Sequence, residues 1–375
     1  MAAPAILLAA GEPSGDAHGG AVAREIRRRW PDACMWGLGG PNMAAAGVEL
    51  LADVDDLAVL GLAEVAGRLP YFWRLLRRVR RELAERRPDL VIPIDYPGFN
   101  LRLTRHARSL GIPVLYYIAP QVWAWHQSRA DELASLTAAM AVILPFEEPL
   151  FRSRGARVSF VGHPLLEEEP PADPGWAPAA GLDPAAPILA LFPGSRRQEV
   201  GRHLELFRDA AERIRERRPE VQPVVARAAT LPNSAYAGLE YPLTTDTWGL
   251  LHAARAAIVK SGTSTLQAAL AGAPMVVTYR MNPATFAVAK RLVRVDHVGL
   301  VNLVAGERAV PELLQDDATP ASIAAAVEPF LDPASAARAR AVASLGRVRS
   351  RLAPPDGRGV AEHVVDLAAQ VMGRT

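Results

Sequence analysis

Residues 7–26, LLAAGEPSGDAHGGAVAREI, run from an apolar stretch through a glycine-rich polar turn into a helical pattern. A short apolar run followed by a turn and a helix is typical of a parallel β-sheet flanked by helices. Glycine permits the tight backbone that such a turn needs, and the helix directs its first amides toward a ligand. The stretch therefore predicts a ligand-facing turn that includes Glu12, Ser14, Gly15 and Asp16.

The same pattern recurs along the chain. Further candidate strands in the first half are Met35–Leu38, Leu90–Ile94, Val114–Ile118, Ala141–Leu144 and Val158–Val161. After a proline-rich passage at 167–187, suggestive of a linker, the pattern restarts with the strands ILALF (188–192), VQPVVA (221–226), AAIVK (256–260) and PMVVTY (274–279). The sequence therefore predicts an α/β fold of two doubly wound, Rossmann-like domains facing a cleft. We expect the first domain at 1–185, the second at 186–355, and a helix at 356–375 that packs back on the first domain.

Composition narrows the class of protein. The 375 residues suffice for two domains, and a net charge of +2 is too small to indicate a nucleic-acid partner. A single cysteine, Cys34, excludes a disulfide framework and a cysteine-based zinc cluster, and the histidines lack H-E-x-x-H spacing. The N-terminal apolar run is too short for a signal peptide or a membrane span. We expect a cytoplasmic protein without a bound metal.

Three more turns carry residues suited to chemistry. The strand Leu90–Ile94 runs into Asp95, and a carboxylate at the end of a buried strand is costly unless it is hydrogen-bonded or functional. The turns PGSR (193–196) and SGTS (261–264) each join a strand to a helix and suit a phosphate, and Arg196 adds a planar charge for a diphosphate. The alternatives are that Asp95 caps the next helix and that the two turns only connect elements.

A segment at 57–83 combines apolar and basic residues at helical spacing. Its apolar positions include Leu69, Phe72, Trp73 and Leu76, and several arginines lie beside them. This composition is typical of an interfacial helix that meets an anionic membrane surface. An amphipathic helix whose apolar face lies in the protein core would have nearly the same pattern, so both interpretations stay open.

The chain contains eight blocks in this order: GEPSGDAHGG, IDYPGFN, APQVWAWHQSR, LPFE, FVGHPL, LFPGSR, KSGTSTLQAAL and VNLVAGERAVPELLQ. Together they resemble the lipid-A-disaccharide synthase family. The resemblance implies the two-domain glycosyltransferase B fold. It also implies an inverting transfer of diacylglucosamine from UDP to diacylglucosamine 1-phosphate, with a β-1,6 linkage and no metal or other cofactor. A lipid acceptor implies peripheral association with the inner face of the cytoplasmic membrane. Whether the chain forms a homodimer stays open.

The resemblance also implies roles for individual residues. Asp95 corresponds to the general base and the turn at 12–16 to the acceptor side of the cleft. An ordinary carboxyl pKa of about 3.9 would leave Asp95 ionised at neutral pH. Donor binding is implied for Gly194, Ser195, Arg196, Ser261, Gly262, Thr263, Ser264, Gln267 and Asn302. Gln267 stands where many members have Glu. The alternatives are a UDP-GlcNAc 2-epimerase-like enzyme and a non-catalytic relative that binds a UDP-sugar.

Overall fold

The computed structural model describes residues 3–57, 62–122, 127–282, 286 and 297–374, and only the backbone of residues 55, 56, 62–69, 127 and 128. The chain forms two units. The first comprises Met1–Pro164 with Pro354–Thr375, and the second comprises Leu165–Ala353. Each unit contains parallel β-strands with helices between them, which confirms the predicted α/β class.

The strands of the first unit are all parallel. They are β1 (Ala5–Ala9), β2 (Cys34–Gly39), β3 (Glu49–Asp53), β4 (Leu90–Pro93), β5 (Leu115–Tyr117), β6 (Ala139–Val142) and β7 (Val158–Phe160). Their order is β3-β2-β1-β4, and single bridges from β4 to β5 continue it into β5-β6-β7. Strand order reverses between β1 and β4, and ligands of doubly wound sheets bind beyond the carboxyl ends of the strands at such a point.

Helices cover both faces of this sheet. They are α1 (Pro13–Arg29), α2 (Pro41–Ala45), α3 (Val54–Leu57), α4 (Leu62–Arg86), α5 (Pro97–Ser109), α6 (Gln127–Leu136), α7 (Glu147–Arg152) and a C-terminal helix (Val360–Val371). Side chains of β1 alternate between the faces: Ile6 and Leu8 join the core formed with α1 and the C-terminal helix. Leu7 joins the core formed with α4 and α5. Burial of each such side chain contributes about 1.5–3 kcal/mol.

The second unit repeats the same winding. Its strands are β8 (Ile188–Phe192), β9 (Gln222–Ala226), β10 (Leu243–Thr244), β11 (Ala254–Lys260), β12 (Met275–Tyr279) and β13 (Glu312–Leu314). All pair in parallel in the order β10-β9-β8-β11-β12-β13. Here the strand order reverses between β8 and β11, so the turns after these two strands are neighbours.

The helices of the second unit are α8 (Leu165–Glu168), α9 (Trp176–Ala179), α10 (Arg197–Arg215), α11 (Thr247–Ala253), α12 (Ser264–Leu270), α13 (Leu300–Ala305), α14 (Pro320–Leu331) and α15 (Ala336–Leu352). The proline-rich passage at 167–187 lies entirely within this unit. The indole of Trp176 packs on Gly249 of α11, where a Cβ would lie 2.3 Å from the ring. This contact ties the passage to α11.

Asp16 is a buried carboxylate of α1 that holds the start of α2. Its oxygens accept hydrogen bonds from the backbone N–H groups of Gly40 (2.6 Å), Asn42 (3.0 Å) and Met43 (3.0 Å) and from the Asn42 side chain (2.8 Å). Burial opposes ionisation, but these donors outweigh it and hold the pKa of Asp16 below its usual value. The expected cleft role of Asp16 is therefore wrong: at 1% exposure its carboxylate stabilises the fold.

Replacement of Asp16 by Ala is predicted to destabilise the first unit. The change leaves buried N–H donors without an acceptor, so we expect the free energy of unfolding to fall by roughly 2–4 kcal/mol. Differential scanning calorimetry measures this as a lower transition temperature. Ser14→Ala, on the exposed side of the same helix, serves as the control. Equal transition temperatures for the two variants would contradict the structural role of Asp16.

Candidate functional site

In the first unit, the turns after β1 and β4 lie side by side because these strands pair in parallel. The Tyr96 ring packs on Gly11, where a Cβ would lie 2.2 Å from the ring atom Cδ1. A larger residue at position 11 would therefore displace this ring. The pairing brings together two predicted site residues, Glu12 and Asp95, whose charges interact.

Asp95 is held in a backbone conformation that few non-glycine residues adopt. Its φ is 45° and that of Tyr96 is 47°, in the left-handed region, which costs about 1–3 kcal/mol per residue. The Asp95 N–H donates to the Tyr117 carbonyl at 3.0 Å. The Asp95 carbonyl accepts from the Tyr116 hydroxyl at 2.8 Å and the Asn100 amide at 2.9 Å. These contacts fix the residue at the strand end.

The helix that follows does not use Asp95 as its cap. Tyr96 precedes α5 at the cap position, and no side chain there accepts a capping hydrogen bond. The alternative that Asp95 serves as a helix cap is therefore wrong. Burial and the negative charge of Glu12 raise the pKa of Asp95 to about 6, although the Tyr96 N–H opposes this. The ordinary pKa expected from sequence is also wrong, and a carboxylate of this basicity suits proton acceptance near neutral pH.

The remaining residues of the first turn differ in accessibility. Glu12 and Ser14 are exposed, whereas Gly15 is buried against Ala10, whose Cβ lies 3.2 Å from the position of an added Cβ.

Two histidines of the first unit, His18 and His163, were not predicted as site residues from the sequence. Burial lowers the pKa of His18 to about 4, and burial with repulsion from His18 lowers that of His163 to about 3. Both rings are uncharged at neutral pH.

In the second unit, the turns after β8 and β11 meet in the same way, because these two strands also pair in parallel. Lys260, the last residue of β11, donates from Nζ to Glu199 Oε1 at 2.9 Å. Glu199 belongs to α10, which follows the PGSR turn. Neither residue was singled out from the sequence. The available signals were that Lys260 is one of two lysines and that Glu199 lies three residues after Arg196, the spacing of a capping box.

Glu199 shapes the PGSR turn. Its Oε2 accepts from the N–H groups of Ser195 (3.1 Å) and Arg196 (3.3 Å), and its side chain fills the space beside Gly194. These two amides, expected to serve a phosphate, are thus bonded to a carboxylate of the protein itself. The Arg196 side chain is 77% exposed and lies 4.0 Å from Glu199 Oε1. The Arg196 guanidinium is therefore the main group of this turn that is available to a ligand.

Two hydroxyl side chains of the SGTS turn, those of Thr263 and Ser264, are accessible to a ligand. The buried Ser261 hydroxyl donates to the Val298 carbonyl at 2.9 Å. Thr263 is exposed and Ser264 half-buried at the start of α12, next to Gly262. Within α12, the Gln267 amide donates to the Thr247 hydroxyl at 2.8 Å and so contacts α11.

Asn302 is fully buried in α13. Its amide nitrogen donates to the Val310 carbonyl (2.9 Å) and to Glu312 (2.8 Å), and its oxygen accepts from the Val310 N–H (3.0 Å). The expectation that this side chain contacts the donor directly is therefore wrong. Asn302 instead ties α13 to the segment that leads into β13.

The predicted membrane residues of α4 separate into two groups. Leu76 is 6% exposed and lies in the core with Val79, so its assignment to membrane contact is wrong. Phe72 is half-buried against the same core, whereas Trp73 is 59% exposed beside Arg74 and Arg77. The side chain of Leu69 lies outside the described residues.

Among the described residues, no three His, Cys, Asp or Glu side chains converge as a metal site requires. In that same part of the chain, none of the helices combines the length and apolar character that crossing a bilayer demands.

Solved structures identify the class of protein. The calicheamicin glycosyltransferase CalG4 has a TM-score of 0.62 at 20% identity, covering 100% of this chain and 99% of its own. A putative UDP-N-acetylglucosamine 2-epimerase from Listeria monocytogenes has a TM-score of 0.63 at 13% identity, with 100% and 98% covered. An S. aureus MnaA–UDP co-structure has a TM-score of 0.61 at 11% identity, with 99% and 98% covered. The fold is that of the glycosyltransferase B class, as predicted.

Sequence comparison is more specific. A family model described as lipid-A-disaccharide synthetase matches residues 6–350. A lipid-A-disaccharide synthase of Geobacter sulfurreducens is 42% identical over 380 residues, covering 98% of this chain and 97% of the relative. One of Anaeromyxobacter dehalogenans is 44% identical over 359 residues, covering 93% and 94%. The chain belongs to the lipid-A-disaccharide synthase family and is a glycosyltransferase.

Replacement of Glu12 by Gln is predicted to lower the pKa of Asp95. The change removes a negative charge that disfavours the ionised form of the neighbouring carboxyl, while burial still acts. Carbon-13 NMR of labelled aspartate follows the titration directly. Ser14→Ala, which changes no charge in the same turn, is expected to leave the titration unchanged. A pKa that stays at the wild-type value in Glu12→Gln would contradict the coupling.

Proposed function

We propose that the chain condenses UDP-2,3-diacylglucosamine with 2,3-diacylglucosamine 1-phosphate, giving the β-1,6-linked lipid A disaccharide 1-phosphate and UDP. The family supports the type of product. The observation that carries the mechanism is the rigidly held Asp95 with a pKa of about 6 at the strand-order reversal of the first unit. The UDP co-structure with the same fold supports a UDP-sugar donor.

In this proposal the second unit binds the donor. As the bond from the anomeric carbon to the diphosphate oxygen breaks, its electron pair leaves with UDP. The Arg196 guanidinium and the hydroxyls of Thr263 and Ser264 meet this charge, because preorganised donors stabilise charge that develops in a transition state. The amides of the PGSR turn contribute less than expected from sequence, since Glu199 accepts from two of them.

The first unit supplies the base. As the 6-hydroxyl of the acceptor attacks the anomeric carbon, a carboxylate oxygen of Asp95 takes its proton. Attack opposite the leaving group inverts the configuration. A base with a pKa near the working pH combines a large ionised fraction with a sufficient affinity for the proton.

The alternatives predict different products. A 2-epimerase would convert a UDP-sugar without any acylated acceptor, and a non-catalytic relative would bind the donor without turnover. The epimerase neighbours share the fold alone, whereas the family model favours transfer. Incubation with both acylated substrates, followed by mass spectrometry, separates these cases. We expect disaccharide and UDP in equal amounts. UDP release at the same rate without the acylated acceptor would contradict the proposal.

Replacement of Asp95 by Asn is predicted to lower kcat by about 10²–10⁴ while UDP affinity stays the same. In the unmodified enzyme, kcat should fall as the pH falls through about 6, because protonation of Asp95 removes the base. Steady-state kinetics across this range measures both effects. Near-normal turnover by Asp95→Asn, or a kcat insensitive to pH there, would reject Asp95 as the base.

We also propose that α4 contacts the inner face of the cytoplasmic membrane through Trp73, with Arg74 and Arg77 beside it. Exposed aromatic and basic side chains together favour an anionic lipid surface. Leu76 is excluded from this surface because it is buried.

Replacement of Trp73 by Ser is predicted to weaken binding to phosphatidylglycerol-containing vesicles about five- to tenfold, because an exposed apolar surface is lost. Sedimentation with the vesicles measures this effect. Val342→Ser, at an exposed apolar residue of the second unit, is the matched control and should bind as the unmodified chain does. Equal binding by the two variants would contradict a membrane role for Trp73.

A further inference from the structure

Lys260 places a positive charge between the two turns of the second unit. It ends β11, and its Nζ lies 2.9 Å from Glu199 Oε1, on the helix that follows the PGSR turn. The same Nζ lies 3.7 Å from where a Cβ would stand on Gly262 in the SGTS turn. It also lies 5.4 Å from the centroid of the Tyr279 ring. One ammonium therefore borders both turns assigned to the donor.

The surroundings of this ammonium favour an anion as an additional partner. The Lys260 side chain is only 15% exposed and that of Glu199 only 18%, so the two charges depend on each other. An ammonium has three N–H donors. Throughout the described ranges, Glu199 is the one hydrogen-bond acceptor found for it. Two of its donors thus have no acceptor among the described residues.

The capping geometry indicates that the lysine does more than hold the turn. Glu199 already accepts from the N–H groups of Ser195 and Arg196, and these bonds define the turn without a cation. Gly262 leaves open the space next to Nζ that a side chain would occupy. A phosphate oxygen reaching that space would meet a charge less screened by solvent than the exposed Arg196 guanidinium.

We propose that Lys260 binds an oxygen of the donor's diphosphate, with Glu199 as the carboxylate that holds its ammonium in place; this role rests on the proposed UDP-sugar donor. When the diphosphate is bound, the ammonium donates to both the carboxylate and the phosphate. As UDP departs, the same ammonium stabilises the added negative charge. The negative charge of Glu199 repels the phosphate, so it lowers the affinity that Lys260 provides.

Because Lys260 attracts the phosphate and Glu199 repels it, removing the charge of each residue should change UDP affinity in opposite directions. Lys260→Met removes the cation and is expected to weaken UDP binding about tenfold or more, the loss typical of one charge-assisted hydrogen bond. Uridine, which lacks phosphate, should bind both forms equally. Glu199→Gln keeps an oxygen for the turn amides but removes the charge that repels the phosphate, so UDP should bind more tightly. Lys260→Arg, which retains the charge, should recover most of the affinity.

Isothermal titration calorimetry with UDP and with uridine measures all four forms, and circular dichroism checks that each is folded. If the Lys260–Glu199 ion pair served only to stabilise the fold, loss of either charge would have the same effect on UDP affinity. Equal losses of UDP affinity in Lys260→Met and Glu199→Gln would therefore overturn the proposal, as would unchanged affinity in Lys260→Met or an equal loss for uridine. If Lys260→Met does not fold, Lys260→Gln replaces it, because it keeps a hydrogen-bond donor but carries no charge. Weaker UDP binding by folded Lys260→Gln with unchanged uridine binding would support the phosphate contact, and unchanged UDP binding would overturn it.

The same measurements distinguish failure of the Lys260 proposal from failure of the proposed UDP-sugar donor. Loss of UDP binding in Arg196→Ala with unchanged binding in Lys260→Met would overturn the Lys260 role and leave the donor proposal standing. No UDP binding by the unmodified chain would overturn both.

Discussion

Parallel pairing of β1 with β4, and of β8 with β11, is the constraint on which both candidate sites depend. Each pair lies where strand order reverses, so the helices after the two strands leave toward opposite faces of the sheet. The turns between strand and helix are left side by side at the carboxyl ends. Residues far apart in sequence, such as Glu12 and Asp95 or Glu199 and Lys260, become neighbours for this reason alone.

The two units use this common geometry with opposite electrostatics. In the first, burial and the charge of Glu12 raise the pKa of Asp95, and burial keeps His18 and His163 neutral. In the second, Arg196 and Lys260 supply positive charge, and a single carboxylate, Glu199, orders the turn. Its pKa stays below the usual value because Lys260 and two amides outweigh the cost of burial. In the proposed glycosyl transfer, the first unit supplies the proton acceptor and the second unit supplies the anion-binding groups.

Sequence reasoning predicted the α/β class and the turns after β1, β4, β8 and β11, because apolar strands followed by such turns are local signals. It missed the edge strands β3, β10 and β13, which are short and only partly buried and so lack a continuous apolar run. Sequence reasoning also could not predict side-chain roles that depend on contacts with residues far away in the sequence. Asp16 and Asn302 are polar residues in promising positions, yet each bonds to backbone groups inside its own unit. Leu76 and Trp73 share one apolar pattern, and only packing separates them.

Hydrogen–deuterium exchange with and without UDP tests the central claim most directly. If the diphosphate binds at the strand-order reversal of the second unit, UDP slows amide exchange in segments 193–199 and 260–264. Segments 11–16 and 95–100 of the first unit should exchange as before, since UDP alone occupies the donor side. Protection confined to the first unit, or absent from both turns of the second, would contradict the account.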